Sequence, residues 1–379
     1  MNYEDNWWIY PGFKIKHVAT GLNLPVNISF VPHPGKNNTD PLCYVSELYG
    51  QVKVITNDYS VHSFAQNLLN YEGSGEFPGS GESGLTGICV EPDSGDLFLS
   101  MLYKDGEDFK GKVIRAISNN NGLKMKDSTL IIDDIPSTRR AHQIQAVTIG
   151  PDKKLYITLG DGGDWTTSQD KNDLRGKVLR LSQSGKIPWD NPDPSSPVFA
   201  KGLRNPFGAV WRRSDHSLYI AGNGPDVDDR IAKINPYQNY GWPASMRKNS
   251  IFWWHYTQAP TALDFMQNHQ FPPEFSDHLF VALFGAAYHK GPNEKGKKIV
   301  KLQLNQSADA VKSYDHFVVY KGNNAASPCG LAFGPDGLYF SDLHGEKQGE
   351  GNIYKVIPDW EKIKEMRKKT EEYDKIWST

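Results

Sequence analysis

Six times along the chain, a turn rich in acids, Gly or Pro gives way to a short apolar run that opens on a large residue and an aromatic. The pairs are Cys43-Tyr44, Leu97-Phe98, Leu155-Tyr156, Leu218-Tyr219, Leu279-Phe280 and Leu338-Tyr339, recurring at intervals of roughly 60 residues. Each interval carries strand-like runs and no long helical pattern, so the repeating unit reads as a small antiparallel sheet. Six such sheets in a ring predict an all-β fold: a six-bladed β-propeller of four-stranded antiparallel blades over residues 1–358, because radial repetition leaves few open strand edges. Asp93-Ser94-Gly95-Asp96, Pro151-Asp152-Lys153-Lys154 and Pro335-Asp336-Gly337 are hairpin-type turns before their strands. A ring of this kind gathers loops from every blade around one mouth.

The pattern changes after Pro358. Asp359 is a helix-capping residue, and Trp360, Ile363, Met366, Tyr373, Ile376 and Trp377 recur near helical spacing among many Lys and Glu. Residues 359–379 are therefore expected to form an amphipathic C-terminal helix docked on the propeller. The aromatic leader Trp7-Trp8-Ile9-Tyr10 is expected to pack on the first or last blade. Long connections at 70–82, 161–177, 186–202 and 222–262 are candidates for functional loops on one face.

Composition narrows the function. Gly 35, Pro 24 and 12% aromatics suit many tight turns around large packing side chains. A net charge of −2 supplies no basic field for nucleic acid, and no stretch is apolar enough to span a bilayer as a helix. Cys43, Cys89 and Cys329 are too scattered for a disulfide framework or a zinc site and read as core thiols. Met1 to Asp5 show neither the basic nor the apolar region of a signal peptide, which leaves the compartment open.

Four loop segments carry the candidate chemistry: Gly81 to Gly87, Ala141-His142-Gln143 with Gly160 to Asp164, Gly202 to Gly208, and Asn223 to Asp229 running on to Asn239-Tyr240-Gly241-Trp242-Pro243. His142 reads either as a satisfied structural histidine or, beside the Asp161 loop, as half of a His–Asp pair whose carboxylate fixes the ring tautomer. Arg204 reads either as a loop salt bridge or as a planar fork that grips a ligand carboxylate. Asn223 to Asp229 mixes backbone carbonyls with carboxylates, which suits a hard cation such as Ca²⁺ or a solvated acidic turn.

In this order and at these separations, the segments resemble the soluble PQQ-dependent sugar dehydrogenases, a family of six-bladed propellers that includes aldose sugar dehydrogenases and sorbosone dehydrogenase-like proteins. The resemblance runs over roughly residues 17–357. Its closest part spans Gly150-Pro151-Asp152, Gly176-Lys177-Val178-Leu179-Arg180, Ile187 to Pro192, and Gly202 to Gly208. Leu279 to Gly285 and Cys329 to Gly337 look like the sorbosone-type branch.

The resemblance implies an enzyme that oxidises a sugar hydroxyl with PQQ and Ca²⁺, in the periplasm or secreted, passing electrons to an unidentified acceptor. Position by position, His142 matches the catalytic base and Asp161 its supporting carboxylate. Gln143, Arg204, Asn205, Asn223, Tyr288 and Lys290 fall at or near cofactor positions, and Glu82 at a sugar contact. The carbonyls of Gly224 and Pro225 match calcium ligands, with Asp229 a supporting acid. The chain departs from the pattern at Gln143 to Ala146, where bulkier side chains replace a Gly-rich step. It departs again at 286–290, and at Ala326-Ser327-Pro328, where a basic residue is usual. Two other readings stay open on the same residues: a propeller that binds a carbohydrate or protein partner without catalysis, and a calcium-dependent lactonase-type hydrolase.

Overall fold

A computed structural model describes residues 3–73, 81–119, 121–137, 140–285, 290–343 and 347–377. The described strands form six antiparallel sheets arranged as the blades of a propeller. The first blade comprises Pro25–Phe30, Pro41–Glu47, Gln51–Thr56 and Val61–Ala65; the second Leu85–Val90, Leu97–Asp105, Asp108–Ser118 and Met125–Pro136. The third comprises Ile144–Ile149, Leu155–Leu159, Lys177–Leu181 and Val198–Lys201. The fourth holds Pro206–Arg212, Ser217–Gly222, Asp229–Ile234 and Phe252–Trp254. The fifth is built from Pro260–Phe265, Leu279–Leu283, Lys298–Leu304 and Val311–Tyr320. The sixth joins Pro328–Phe333, Leu338–Asp342 and Gly351–Pro358 to the early strand Phe13–Leu22.

All six large-plus-aromatic pairs of the sequence fall in the second strand of their blade. There Tyr44, Phe98, Tyr219, Phe280 and Tyr339 are almost fully buried, filling the widening space between blades where only a large ring suffices. The ring closes by pairing the two ends of the chain: Phe13 to Leu22 runs antiparallel to Gly351 to Pro358. This locks an early and a late strand into one sheet and closes the ring.

The aromatic leader does not simply pack on a blade. Trp7–Ile9 adds a fifth, outer strand to the fifth blade, opposite Val318 to Tyr320, while the Trp7 ring meets Phe340 and Tyr354 of the last blade edge-on. The C-terminal helix, Trp360–Trp377, begins where the Asp359 N–H bonds the Gly12 carbonyl. Ile363 is buried against Gly12, and Arg367 pairs with Glu274 at 2.9 Å. Trp360 and Met366, expected on the docking stripe, stay half-exposed.

Blade topology decides where the chemistry sits. In each blade the first strand runs away from its incoming loop, and the second returns. Incoming loops and the loops joining second to third strands therefore share one end of the ring. Residues 81–84, 140–143, 161–176, 202–205 and 223–228 are all of these two kinds.

Candidate active site

The first strands of successive blades pack side by side in a ring. At the loop end they enclose a cavity of 610 Å³. Every blade contributes: Val26 and Leu48, Thr86, Ala141, Asn205 and Phe207, Thr261 and Phe284, then Cys329 and Leu343. Glu82, Arg140 and Asn223 add polar groups to its wall.

Beside this cavity His142 and Asp161 meet. Nδ1 of His142 lies 2.6 Å from Oδ1 of Asp161, and the Asp161 side chain is almost wholly buried. A second donor fixes that carboxylate: Nε1–H of Trp242 reaches Oδ2 at 2.8 Å. The Gly163 N–H also donates to Oδ1, at 2.9 Å. A carboxylate taking donors from Trp242 and Gly163 acts as the acceptor toward the ring too, which assigns the proton to Nδ1 of His142 and leaves Nε2 as the acceptor nitrogen. His142 itself sits at φ +49°, a left-handed backbone costing on the order of 1 kcal/mol for a side chain of this kind. Its strain is held in place by three bonds: its N–H to Glu82 Oε1 at 2.6 Å, and its carbonyl accepting Gly162 N–H, with Gly160 N–H on the carbonyl of Gln143. A Cβ on Gly160 would lie 2.2 Å from the His142 oxygen, so only glycine lets that strand end approach this closely.

Glu82 joins three blades. Its Oε1 takes the His142 N–H, while Oε2 accepts from Asn205 Nδ2 at 3.0 Å and Gln145 Nε2 at 3.3 Å. Arg204 lies over the Trp242 ring, 5.6 Å from its centroid, and donates through Nη1 to the carbonyls of Asn223 and Gly224 at 3.1 and 2.7 Å. Burial depresses its guanidinium below the ordinary arginine value, and Asp161, Glu82, Asp229 and Asp226 act against that. Asn223 leaves Oδ1 buried without a hydrogen-bond partner on the cavity wall.

Several expected residues are hydrogen-bonded within the fold. Gln143, expected at a cofactor, is buried, and its carboxamide closes both ways on the Gly84 backbone at 3.2 Å, with Thr86 Oγ1 at 3.3 Å. The carbonyl of Gly224, expected to face calcium, accepts Arg204. Asp229 uses Oδ1 on Gly224 N–H and Oδ2 on Thr257 Oγ1, Gln258 N–H and Ala259 N–H. It shapes the loop and has no oxygen left idle. Pro225 is exposed, and Lys290 is exposed in the loop after the fifth blade's second strand. Tyr288 lies outside the described residues. Among the described residues, no group of three or more His, Cys, Asp or Glu is placed to hold a metal, so a cation here would rest on carbonyl oxygens.

Three functional candidates were not assigned from the sequence: Trp242, Arg140 and Gln145. Trp242 stood in the quoted Asn-Tyr-Gly-Trp-Pro segment, but its partner Asp161 is 81 residues away. Two buried cations underpin the Trp242 loop. Lys177 bonds the carbonyls of Thr167, Ser168 and Arg175 at 2.9, 3.2 and 2.7 Å, and burial pushes its ammonium down to about 8. Arg230 bonds the carbonyls of Tyr240, Met246 and Gly202, and burial pushes it down to about 10. Ser168 Oγ and Gln169 Nε2 then reach the Trp242 carbonyl at 3.3 and 2.5 Å.

Comparison with known proteins gives this geometry a context. Residues 22–314 match the family model described as glucose/sorbosone dehydrogenase. The chain is 25% identical over 312 residues to the aldose sugar dehydrogenase YliI of Escherichia coli, covering 73% of this chain and 78% of that protein. It is 31% identical over 194 residues to quinoprotein glucose dehydrogenase B of Acinetobacter calcoaceticus, covering 43% of this chain and 40% of that one. The PQQ-bound aldose sugar dehydrogenase of Streptomyces coelicolor superposes with a TM-score of 0.70 at 22% identity, over 92% of this chain and 100% of that one. At that identity the likeness concerns the fold.

Proposed function

We propose, for a chain that belongs to the glucose/sorbosone dehydrogenase family, a PQQ- and calcium-dependent dehydrogenase that oxidises a hydroxyl of an aldose or related sugar with His142 as base. The observation that carries this reading is the hydrogen-bonded series Trp242, Asp161, His142 beside a cavity fed by all six blades.

PQQ, when bound, would supply the hydride acceptor for the carbon being oxidised. The chain's own part is to move the proton. Nε2 of His142 takes the hydroxyl proton, and Asp161 stabilises the imidazolium through Nδ1–H. Trp242 holds the other carboxylate oxygen, so the pair keeps its orientation while charged. Glu82, clamped by His142, Asn205 and Gln145, presents a carboxylate edge to the sugar from the cavity wall.

The residues present fit the cofactor along this side of the mouth. PQQ carries three carboxylates on a flat ring; Arg204, Asn205 and Asn223 would hold it on this side, and the unpartnered Asn223 Oδ1 is an acceptor that a donor group of a ligand or a water would complete. Calcium would take the carbonyls of Gly224 and Pro225, which requires Arg204 to leave the Gly224 oxygen it bonds at 2.7 Å and turn to a ligand carboxylate. The relatives named for aldose sugar and quinoprotein dehydrogenase activity support this assignment.

Titration of the protein with PQQ and Ca²⁺, followed by the absorbance of the bound quinone, tests it. Saturable binding and sugar-dependent reduction of a dye are expected, with chelation by EDTA abolishing turnover and Ca²⁺ restoring it. No quinone-dependent thermal shift, together with no dye reduction across a broad sugar panel, would sink the proposal.

A further inference from the structure

One cation on the cavity wall has no part in the chemistry above. Arg140 lines the cavity two residues before His142. Its guanidinium carbon lies 4.3 Å from the centroid of Phe109 and 5.1 Å from that of Tyr71. The rings strip water from its faces and hold its plane, leaving the N–H edge to find partners. That edge is only partly used: Nε donates to Ser83 Oγ at 3.4 Å and the Tyr71 hydroxyl interacts with the guanidinium, but Nη2 is buried with no hydrogen-bond partner. Among the described residues Arg140 forms no ion pair. The backbone that carries it is itself left-handed, at φ +54°. A buried Nη2 with unmet donors is costly unless a ligand completes it.

Its neighbours supply no answer of their own. Glu82, the acid on the same wall, is already engaged by His142, Asn205 and Gln145. The late blades place Ala326 and Ser327, both buried, where a basic residue is usual, and Ser327 N–H is bound to Asp342.

We propose that Arg140 is a further anion-binding residue of this cavity, gripping a carboxylate of the bound ligand through its unmet Nη2 donors. The proposal rests on the dehydrogenase reading for the identity of that ligand. PQQ and an acidic sugar such as glucuronate both carry the carboxylate that a planar fork binds in two-point fashion.

The test uses the full chain as wild type, Arg140→Met and Arg140→Lys. PQQ affinity is read by absorbance titration, glucuronate affinity by calorimetry, and KM for glucuronate and glucose by dye reduction. Arg140→Met should weaken the carboxylate-bearing ligand by about ten- to a hundredfold, and Arg140→Lys should recover only part of it. A loss confined to PQQ assigns the carboxylate to the quinone. A loss confined to glucuronate, with glucose unchanged, assigns it to the substrate. Unchanged values for both overturn the proposal. Should Arg140→Met fail to fold, Arg140→Lys carries the comparison, because it keeps the charge and removes the fork. If wild type binds no PQQ and oxidises no sugar, the dehydrogenase reading alone fails. Glucuronate calorimetry then decides Arg140: binding lost in Arg140→Met supports the role, and binding that is equal or absent in wild type overturns it.

Discussion

Two walls face each other across the mouth of this propeller, built from the same repeated unit. The wall from the second to fourth blades carries Glu82, Arg140, Asn205 and Asn223, with His142 beside it and Glu82 hydrogen-bonded from blade to blade. The wall from the fifth, sixth and first blades presents Thr261, Phe284, Cys329, Leu343, Val26 and Leu48. On the first wall, ionisable groups are buried: Asp161 and Lys177 are held by directed bonds, and Arg230 is bonded through both terminal nitrogens while its Nε has no partner. On the second, the one buried hydroxyl of the lining, Thr261 Oγ1, is turned to the carbonyl of Cys329 at 2.7 Å. Equal strands thus serve unequal roles. In the proposed mechanism the polar wall moves a proton, and the apolar wall shapes the space and excludes water.

The sharpest way to break this contrast is to spoil the polar wall at its centre. Asp161→Asn keeps the shape but presents an amide to His142, so the ring no longer holds its proton on Nδ1. A fall in kcat of about 10²- to 10⁴-fold is expected in PQQ-loaded protein, with quinone binding kept. Steady-state dye reduction measures it, and a loss under about tenfold would remove Asp161 from the mechanism.

A smaller, more diagnostic effect is expected at Trp242. Trp242→Phe retains the ring under Arg204 but removes the donor to Asp161 Oδ2. The freed carboxylate binds the imidazolium more strongly, so the acid limb of the kcat–pH profile should move to higher pH, with kcat down about tenfold at neutral pH. A profile that keeps its position and merely scales down would make Trp242 a packing residue.

Lys177 tests the scaffold beneath that wall. Its folded-state pKa is depressed to about 8 from an ordinary 10.5, so the folded protein binds fewer protons than the unfolded chain between those values. Stability contributed at this site therefore rises as pH climbs from about 8 to about 10.5, by up to about 3 kcal/mol. The melting temperature of wild type minus that of Lys177→Met should grow over this window and stay flat between pH 6 and 7. A difference that shrinks above pH 8 would contradict the assignment.

The least effect is expected on the apolar wall. Thr261→Val removes one hydrogen bond and should cost about 1 kcal/mol of stability while leaving kcat within about twofold. A large kcat loss there would erase the distinction between the walls.

The sequence made the ring legible because each second strand must fill the same wedge between blades, and a large residue plus an aromatic does so every time. It made His142 and Asp161 legible as a pair because both flank one repeat. Contacts between blades were harder to foresee. Gln143 sits beside the base in sequence, yet the bulge between Ile144 and Val147 and the approach of Gly84 turn its amide into a blade-to-blade clasp. Arg140 acquires its setting from Phe109 and Tyr71, which lie in another blade and its incoming loop. The leader Trp7–Ile9 joins the fifth blade because the outer edge at Val318 to Tyr320 offers unpaired backbone, a feature no local pattern announces.

The most direct measurement is a single turnover. Protein loaded with PQQ and Ca²⁺ is mixed with excess sugar, and the bound quinone's absorbance is followed with time in wild type and His142→Ala. Rapid bleaching in wild type, slowed about 10²-fold or more in His142→Ala at equal quinone occupancy, is the predicted result. Equal rates in the two proteins would contradict the role given to the polar wall.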